Sequence, residues 1–295
     1  MLIGRVVVCL TTVACLVGCG GSDDQPEAAP TTAAPTTGSP STASPTADPA
    51  GLSITCSGSG ETTVVFMAGL GAPGDVHAAQ AGRAGATSRT CYYDRAGLGA
   101  SPALAADAPD PSPGRAAADL HAALAAQNIP PPYVVLGWSY GGLVAQAFSS
   151  AYADDVTGLV LEDSSVLEQF TDPDQMEFFA DAGILWEEGG RDIDTAALVD
   201  EISAVDLSGV PTVVLSQDVD GDWAGWWYGD HDRIARQSPD SVHVIGRGSG
   251  HEMHVEVPDL VAAAVTAVVT AAEGGAPVAP CDERFTAVGG RCRDL

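Results

Sequence analysis

Residues 134–142 read Val134-Val135-Leu136-Gly137-Trp138-Ser139-Tyr140-Gly141-Gly142. An apolar run enters Gly-x-Ser-x-Gly, and a stretch of helical composition, Leu143–Tyr152, follows at once. A strand that turns into a helix over a single serine lifts that hydroxyl off the sheet edge, and the flanking glycines leave room for the crowded backbone. The helix start adds unpaired N–H groups and a partial positive charge where an oxyanion would form. Ser139 is therefore the candidate nucleophile.

Outward from this turn, short apolar runs alternate with helical stretches. Strands are expected at Leu52–Cys56, Thr63–Met67, Thr90–Tyr93, Tyr133–Leu136, Gly158–Leu161, Thr212–Leu215 and Val242–Ile245. Helices are expected around 75–86, at Arg115–Asn128 ahead of Pro130–Pro132, at Leu143–Tyr152, at Asp230–Gln237 and from Pro258 to about Ala272. This alternation predicts an α/β fold, a mostly parallel twisted sheet with helices on both faces. Residues 165–209, rich in Asp, Glu and Phe, interrupt it and are expected to form a small cap on a domain spanning 51–273.

A serine hydroxyl is a weak nucleophile at neutral pH and needs a base, itself held in one tautomer by a carboxylate. His251 follows Gly248-Ser249-Gly250 on the loop after the last predicted strand, and it alone of the six histidines occupies a glycine-hinged loop at a strand end. It is the expected base, with His254 three residues on as a supporting group. The strand Thr212–Leu215 runs into Ser216-Gln217-Asp218-Val219-Asp220-Gly221-Asp222. Counting from the strand end favours Asp220 as the acid, while spacing leaves Asp218 and Asp222 open, and Asp163 after Gly158–Leu161 is a further candidate, a position more often structural. The D-x-D-G-D run resembles the start of a calcium loop, but Trp223 stands where the turn glycine belongs and Gly229 where the closing glutamate belongs. No metal and no cofactor are expected.

The order Ser139, Asp220, His251 on alternating strands and helices resembles the α/β-hydrolase superfamily over roughly residues 52–273. Phe66-Met67-Ala68-Gly69-Leu70-Gly71 is similar to its oxyanion loop, with Ala68 in place of a frequent histidine. Tyr93-Asp94-Arg95-Ala96-Gly97-Leu98-Gly99-Ala100-Ser101 is similar to the D-R-x-G-x-G-x-S loop of its single-domain members. The resemblance implies backbone oxyanion donors at Leu70 and Tyr140. It also favours Asp220 as the acid and sets the strand of Cys56 beside that of Cys91, which makes a disulfide between them reasonable.

The N-terminus reads as an export signal over residues 1–18. Arg5 precedes an apolar stretch, Val6–Gly18, that is too short to cross a bilayer and ends Leu16-Val17-Gly18-Cys19. That ending resembles a bacterial lipobox, which makes Cys19 the expected lipid anchor and residues 19–50, nearly all Gly, Ser, Thr, Ala, Pro and acidic, a disordered tether. Cys281 and Cys292, eleven residues apart in the tail 274–295, are expected to close a small disulfide loop. Thirty-nine Asp and Glu stand against twelve Arg, a formal charge of −27 that excludes nucleic-acid binding through a basic surface.

These features predict an exported, lipid-anchored serine hydrolase that cleaves small or medium carboxylic esters through an acyl-enzyme on Ser139, the membrane being met only through the N-terminal lipid. An exopeptidase or amidase of the same fold and a non-catalytic cell-surface sensor are the competing readings. Serine at the turn excludes the alkyl-ester chemistry of relatives that carry aspartate there. Trp223, Trp226, Trp227 and Tyr228, with Phe170, Phe178, Phe179 and Trp186, are read first as packing of the cap and second as a pocket wall. Asp181, Glu187, Glu188, Asp192 and Asp194 are read as a solvated face.

Overall fold

The computed structural model of the chain describes residues 51–85, 88–221 and 223–295. The expected signal segment 1–18, the tether 19–50 with Cys19, and the candidate Asp222 lie outside these described residues. Two N-terminal strands, β1 (Ile54–Ser57) and β2 (Thr63–Met67), lead to a 3₁₀ turn at Gly74–His77 and helix α1 (Ala78–Ala84). Strand β3 (Arg89–Tyr93), helix α2 (Pro113–Ala126), strand β4 (Tyr133–Trp138), helix α3 (Tyr140–Ala151) and strand β5 (Val156–Glu162) follow. The insertion carries helix α4 (Pro173–Asp181), a two-stranded hairpin of β6 (Glu187–Glu188) and β7 (Arg191–Asp192), and helix α5 (Thr195–Ser203). The chain resumes with β8 (Thr212–Ser216), α6 (Trp223–Ala235), β9 (Ser241–Gly246), α7 (Met253–Glu256), α8 (Pro258–Ala272), α9 (Glu283–Thr286) and β10 (Gly290–Cys292).

The main sheet has the order β1-β3-β2-β4-β5-β8-β9-β10. Its inner strands β3, β2, β4, β5, β8 and β9 pair in parallel, and β1 and β10 close the two edges antiparallel. Helices cover both faces, so the central strands are buried on both sides and read as continuous Val/Leu/Ile runs. The period of two is still visible in where each residue packs. Val65, Met67, Val135, Leu159, Leu161 and Val214 join the core under α2, α3, α5 and α6. Val64, Phe66, Val134, Leu136, Val160, Val213 and Leu215 join the core under α1 and α8. Burying each such side chain contributes roughly 1.5–3 kcal/mol, which outweighs the helix-neutral composition of the Val-Val-Leu run and fixes it as a strand.

Several expected elements differ in extent, and for two helices the cause is visible. Helix α2 begins at Pro113, two residues earlier than read, because Ser112 caps it by accepting from Arg115 N at 3.2 Å and proline suits the first turn. Helix α6 begins at Trp223 rather than Asp230, since its aromatic face packs into the core through Trp227 and Tyr228. The edge strand β10 has only three residues and no apolar alternation to reveal it. It is held by the Cys281–Cys292 disulfide, and Cys56–Cys91 joins directly opposed residues of β1 and β3.

Candidate active site

Strand β4 is central, so the turn after it opens at the middle of the sheet's C-terminal rim, where ligands of open α/β sheets bind. Ser139 is the hinge of that turn, with φ 55° and ψ −125°. A non-glycine residue costs on the order of 1–3 kcal/mol in such a conformation, so it must be held there. Three backbone bonds hold it: Ser139 N donates to Glu162 O, and Gly142 N and Ser165 N donate to Ser139 O. The glycines are steric requirements. A Cβ at Gly137 would overlap the Gly141 carbonyl, and one at Gly141 would overlap the carbonyls of Met67 and Ala68.

His251 Nδ1 lies 2.6 Å from Asp163 Oδ2. The structure thus pairs His251 with Asp163, after β5, and not with Asp220, which the sequence favours. Asp220 is exposed, and no hydrogen bond joins it to His251 among the described residues. Asp218 is engaged elsewhere, accepting from Gly248 N at 2.9 Å and from Arg291 at 3.1 Å, so it braces the loop that carries His251. Asp163 is the residue immediately after β5, and its own positive φ of 41° sets it in a sharp turn at the end of that strand. Its other oxygen, Oδ1, accepts from Gln217 N and Trp227 Nε1, both at 3.0 Å. The carboxylate is fully buried and meets three nitrogen partners, which hold it in one place.

The His251 side chain remains 43% exposed, reachable by substrate. Burial alone lowers an imidazole pKa, but the bond to Asp163 and the charges of Asp163, Glu162 and Glu252 together outweigh it, and His251 lies above its ordinary value. Trp138 Nε1 donates to His251 O at 2.8 Å, so the residue before Ser139 ties the loop of His251 to β4. Beneath them, Glu162 accepts from His254 Nδ1 at 2.7 Å and from His254 N at 2.6 Å. His254 thus anchors the segment after His251 to the end of β5. His77, Glu162 and His254 bring metal-type donor atoms within 4.8 Å of one another in full burial. Within that set, Glu162 Oε1 and His254 Nδ1 are bonded directly to each other.

Ser139 and His251 line one cavity of about 570 Å³ together with Gly69 and Leu70 of the loop after β2. No direct hydrogen bond joins Ser139 to His251 among the described residues. With Nδ1 committed to Asp163, Nε2 is the nitrogen left to take a proton from the shared cavity. Gly69 sits against the turn closely enough that a Cβ there would lie 2.9 Å from the Trp138 ring and 3.3 Å from Ser139 Cβ. The N–H groups of Leu70 and Tyr140, expected as oxyanion donors, have no acceptor among the described residues, and that of Tyr140 is the first of α3, a position with no partner inside the helix.

Aromatic residues of the insertion and of α6 form the cavity's far wall: Phe178, Phe179, Trp186, Trp223 and Trp227. They also stack on one another, as Phe178 does on Trp223 at 5.7 Å, so packing and pocket wall are one structure. Trp226 and Phe170 serve packing, and the Tyr228 hydroxyl bonds the backbone of Val219. One residue assigned to the solvated face is misplaced by that reading. Glu188 is 5% exposed and ion-paired with the equally buried Arg95, whereas Asp181, Glu187, Asp192 and Asp194 are exposed. Neither Arg95 nor Glu188 was legible as a partner, because they stand 93 positions apart and only the folded insertion joins them.

The strand order, the serine turn and the acid-base pair together define the α/β-hydrolase fold. The model of the alpha/beta hydrolase fold family matches residues 63–209. An esterase from Thermogutta terrifontis superposes with a TM-score of 0.56 at 20% identity, covering 75% of this chain and 93% of its own. The enol-lactonase from Burkholderia xenovorans LB400 superposes with a TM-score of 0.56 at 18% identity, covering 76% and 99%. A pimeloyl-[acyl-carrier protein] methyl ester esterase from Chromobacterium violaceum is 39% identical over 100 residues, which are 33% of this chain and 35% of that enzyme. The matched stretch is thus about a third of the curated relative. The chain has the α/β-hydrolase fold, and these matches support its place in that superfamily.

Proposed function

We propose that the protein is a serine hydrolase that cleaves uncharged carboxylic esters of small or medium size. The observation that carries this is the pairing of His251 Nδ1 with buried Asp163 at 2.6 Å, in a cavity shared with Ser139. His251 Nε2 takes the Ser139 proton as Oγ attacks the ester carbonyl. The Leu70 and Tyr140 N–H groups hold the oxyanion of the tetrahedral intermediate. His251 then protonates the leaving alcohol, and water repeats the sequence on the acyl-enzyme. The esterases and the lactonase among the similar proteins support this class of chemistry.

The lining gives the polarity of the substrate. No Asp, Glu or Arg lines the cavity among the described residues, and His251 is its one titratable group. An exopeptidase needs a fixed charge to hold a free chain terminus, and this wall offers none, which favours ester over peptide. An overall charge of −27 likewise disfavours acidic carriers such as the one named for the relative from Chromobacterium violaceum.

Export and anchoring through Cys19 belong to the same proposal, supported by the apolar stretch Val6–Gly18 and by an even set of cysteines downstream. Labelling with a fluorophosphonate probe tests the chemistry. Wild type is expected to react, and Ser139→Ala and His251→Ala to lose the label. Folded wild type that takes no label would leave the sensor reading. Release of amines in preference to alcohols from matched substrates would leave the amidase reading.

A further inference from the structure

We propose that Arg95 and Glu188 are positioning residues for the oxyanion hole, fixing the two peptide planes on either side of Leu70. The inference rests on the acyl transfer at Ser139 proposed above. Arg95 reaches this loop with both terminal nitrogens and Glu188 with the third. Nη1 donates to Ala68 O and Nη2 to Gly69 O, both at 2.5 Å, and Nε donates to Glu188 Oε1. Glu188 Oε2 in turn accepts from Gly71 N at 2.9 Å.

The geometry of a peptide unit makes these contacts specific. Gly69 C=O and Leu70 N–H belong to one planar trans unit and point in opposite directions. Pinning the carbonyl to the guanidinium therefore aims the Leu70 N–H away from Arg95. It also polarises that unit, because a cation on the oxygen strengthens the N–H as a donor. The next unit, Leu70 C=O with Gly71 N–H, is pinned through its N–H by Glu188. Both planes that meet at Leu70 are thus set by one buried ion pair. The second oxyanion residue is engaged too, since the Arg95 guanidinium lies 5.5 Å from the centre of the Tyr140 ring.

The two partners come from different parts of the chain. Arg95 belongs to the loop after β3, while Glu188 is carried by the hairpin of the insertion, and the hairpin turn presses on that loop so closely that a Cβ at Gly97 would lie 2.8 Å from Gly189 Cα. The insertion is consequently part of the catalytic framework as well as a wall of the pocket. Neither side chain touches the reacting atoms.

Glu188→Gln is the first test, because it preserves volume but cannot accept from both Arg95 and Gly71. Arg95→Lys is the second, because it keeps the charge and loses the fork that spans two carbonyls. Both are measured for melting temperature and for kcat and KM on p-nitrophenyl butyrate. The expected result is a folded variant whose kcat falls about 10- to 100-fold with KM within about threefold, the signature of an interaction made in the transition state. Either variant folded with kcat within twofold of wild type overturns the proposal. So does a loss that appears only in KM, or one that tracks a fall in melting temperature in both variants. Wild type that neither turns over the ester nor takes the fluorophosphonate label removes the reading at Ser139 on which the proposal rests, and the proposal with it.

Discussion

Asp163 and His251 are 88 positions apart, yet Oδ2 and Nδ1 meet at 2.6 Å, with the carboxylate buried and the imidazole open to the cavity. The contact bridges the end of β5 and the loop beyond β9, passing over the end of β8 that lies between them in the sheet. On the chemistry proposed above, this contact makes Asp163 the partner acid and commits the imidazole to one tautomer.

Asp163→Asn is expected to lower kcat about 10²- to 10⁴-fold with little change in KM, because an amide at that place favours the wrong tautomer of His251. Asp220→Asn is expected to leave kcat within about twofold. Steady-state kinetics on one neutral ester compares the two, and the reverse ranking would return the acid to the loop after β8.

His251 must be neutral to accept a proton, and its pKa is raised by Asp163 and the nearby acidic charges against the opposing effect of burial. The acid limb of kcat/KM should therefore have its midpoint above the ordinary imidazole value of about 6.5 and rise with pH. In Asp163→Asn the limb should move to lower pH, since the largest raising influence is gone. A pH profile of both proteins reads this, and a limb below the ordinary value in wild type contradicts it.

The cavity rim is apolar and exposed: Leu185 is 70% accessible, with Ile184 and Phe178 beside it at about 43% and 42%. A neutral aryl ester is expected to exceed an anionic ester of the same size in kcat/KM by at least about 100-fold, because no cationic group lines the wall to offset the desolvation of a charge. Phe178→Ser should cost the aryl ester about tenfold while changing acetate esters of small alcohols little. Equal losses on both substrates would mean that Phe178 packs the cap and does not contact the substrate.

The Cys56–Cys91 disulfide closes a loop of 35 residues between an edge strand and its neighbour. By the chain-entropy account its removal should cost about 3–4 kcal/mol. Thermal or urea unfolding of the Cys56→Ala/Cys91→Ala protein measures this. Unchanged stability would show that the edge strand is held by its hydrogen bonds and packing alone.

Much of the framework was legible because its signals are local. Thr63–Met67 has the same bounds in sequence and structure, and Tyr133–Leu136 extends only two residues further, to Trp138. Burial on both faces demands uninterrupted apolar residues in such strands. Helix α6 was half missed, since its first turns are aromatic and carry two glycines, and they are stabilised by packing on the insertion.

The primary order by itself determined the serine turn, the glycine-hinged loop of His251 and the alternating α/β framework, because each depends on residues that are neighbours in the chain or repeat with a fixed period. The tertiary structure decided which carboxylate serves His251, and it joined Arg95 to Glu188 around the loop of Leu70. Asp163, Asp218 and Asp220 are the same chemical group at the ends of adjacent strands. What separates them is burial and the donors around them, and these exist only once strand order has brought distant loops to one rim.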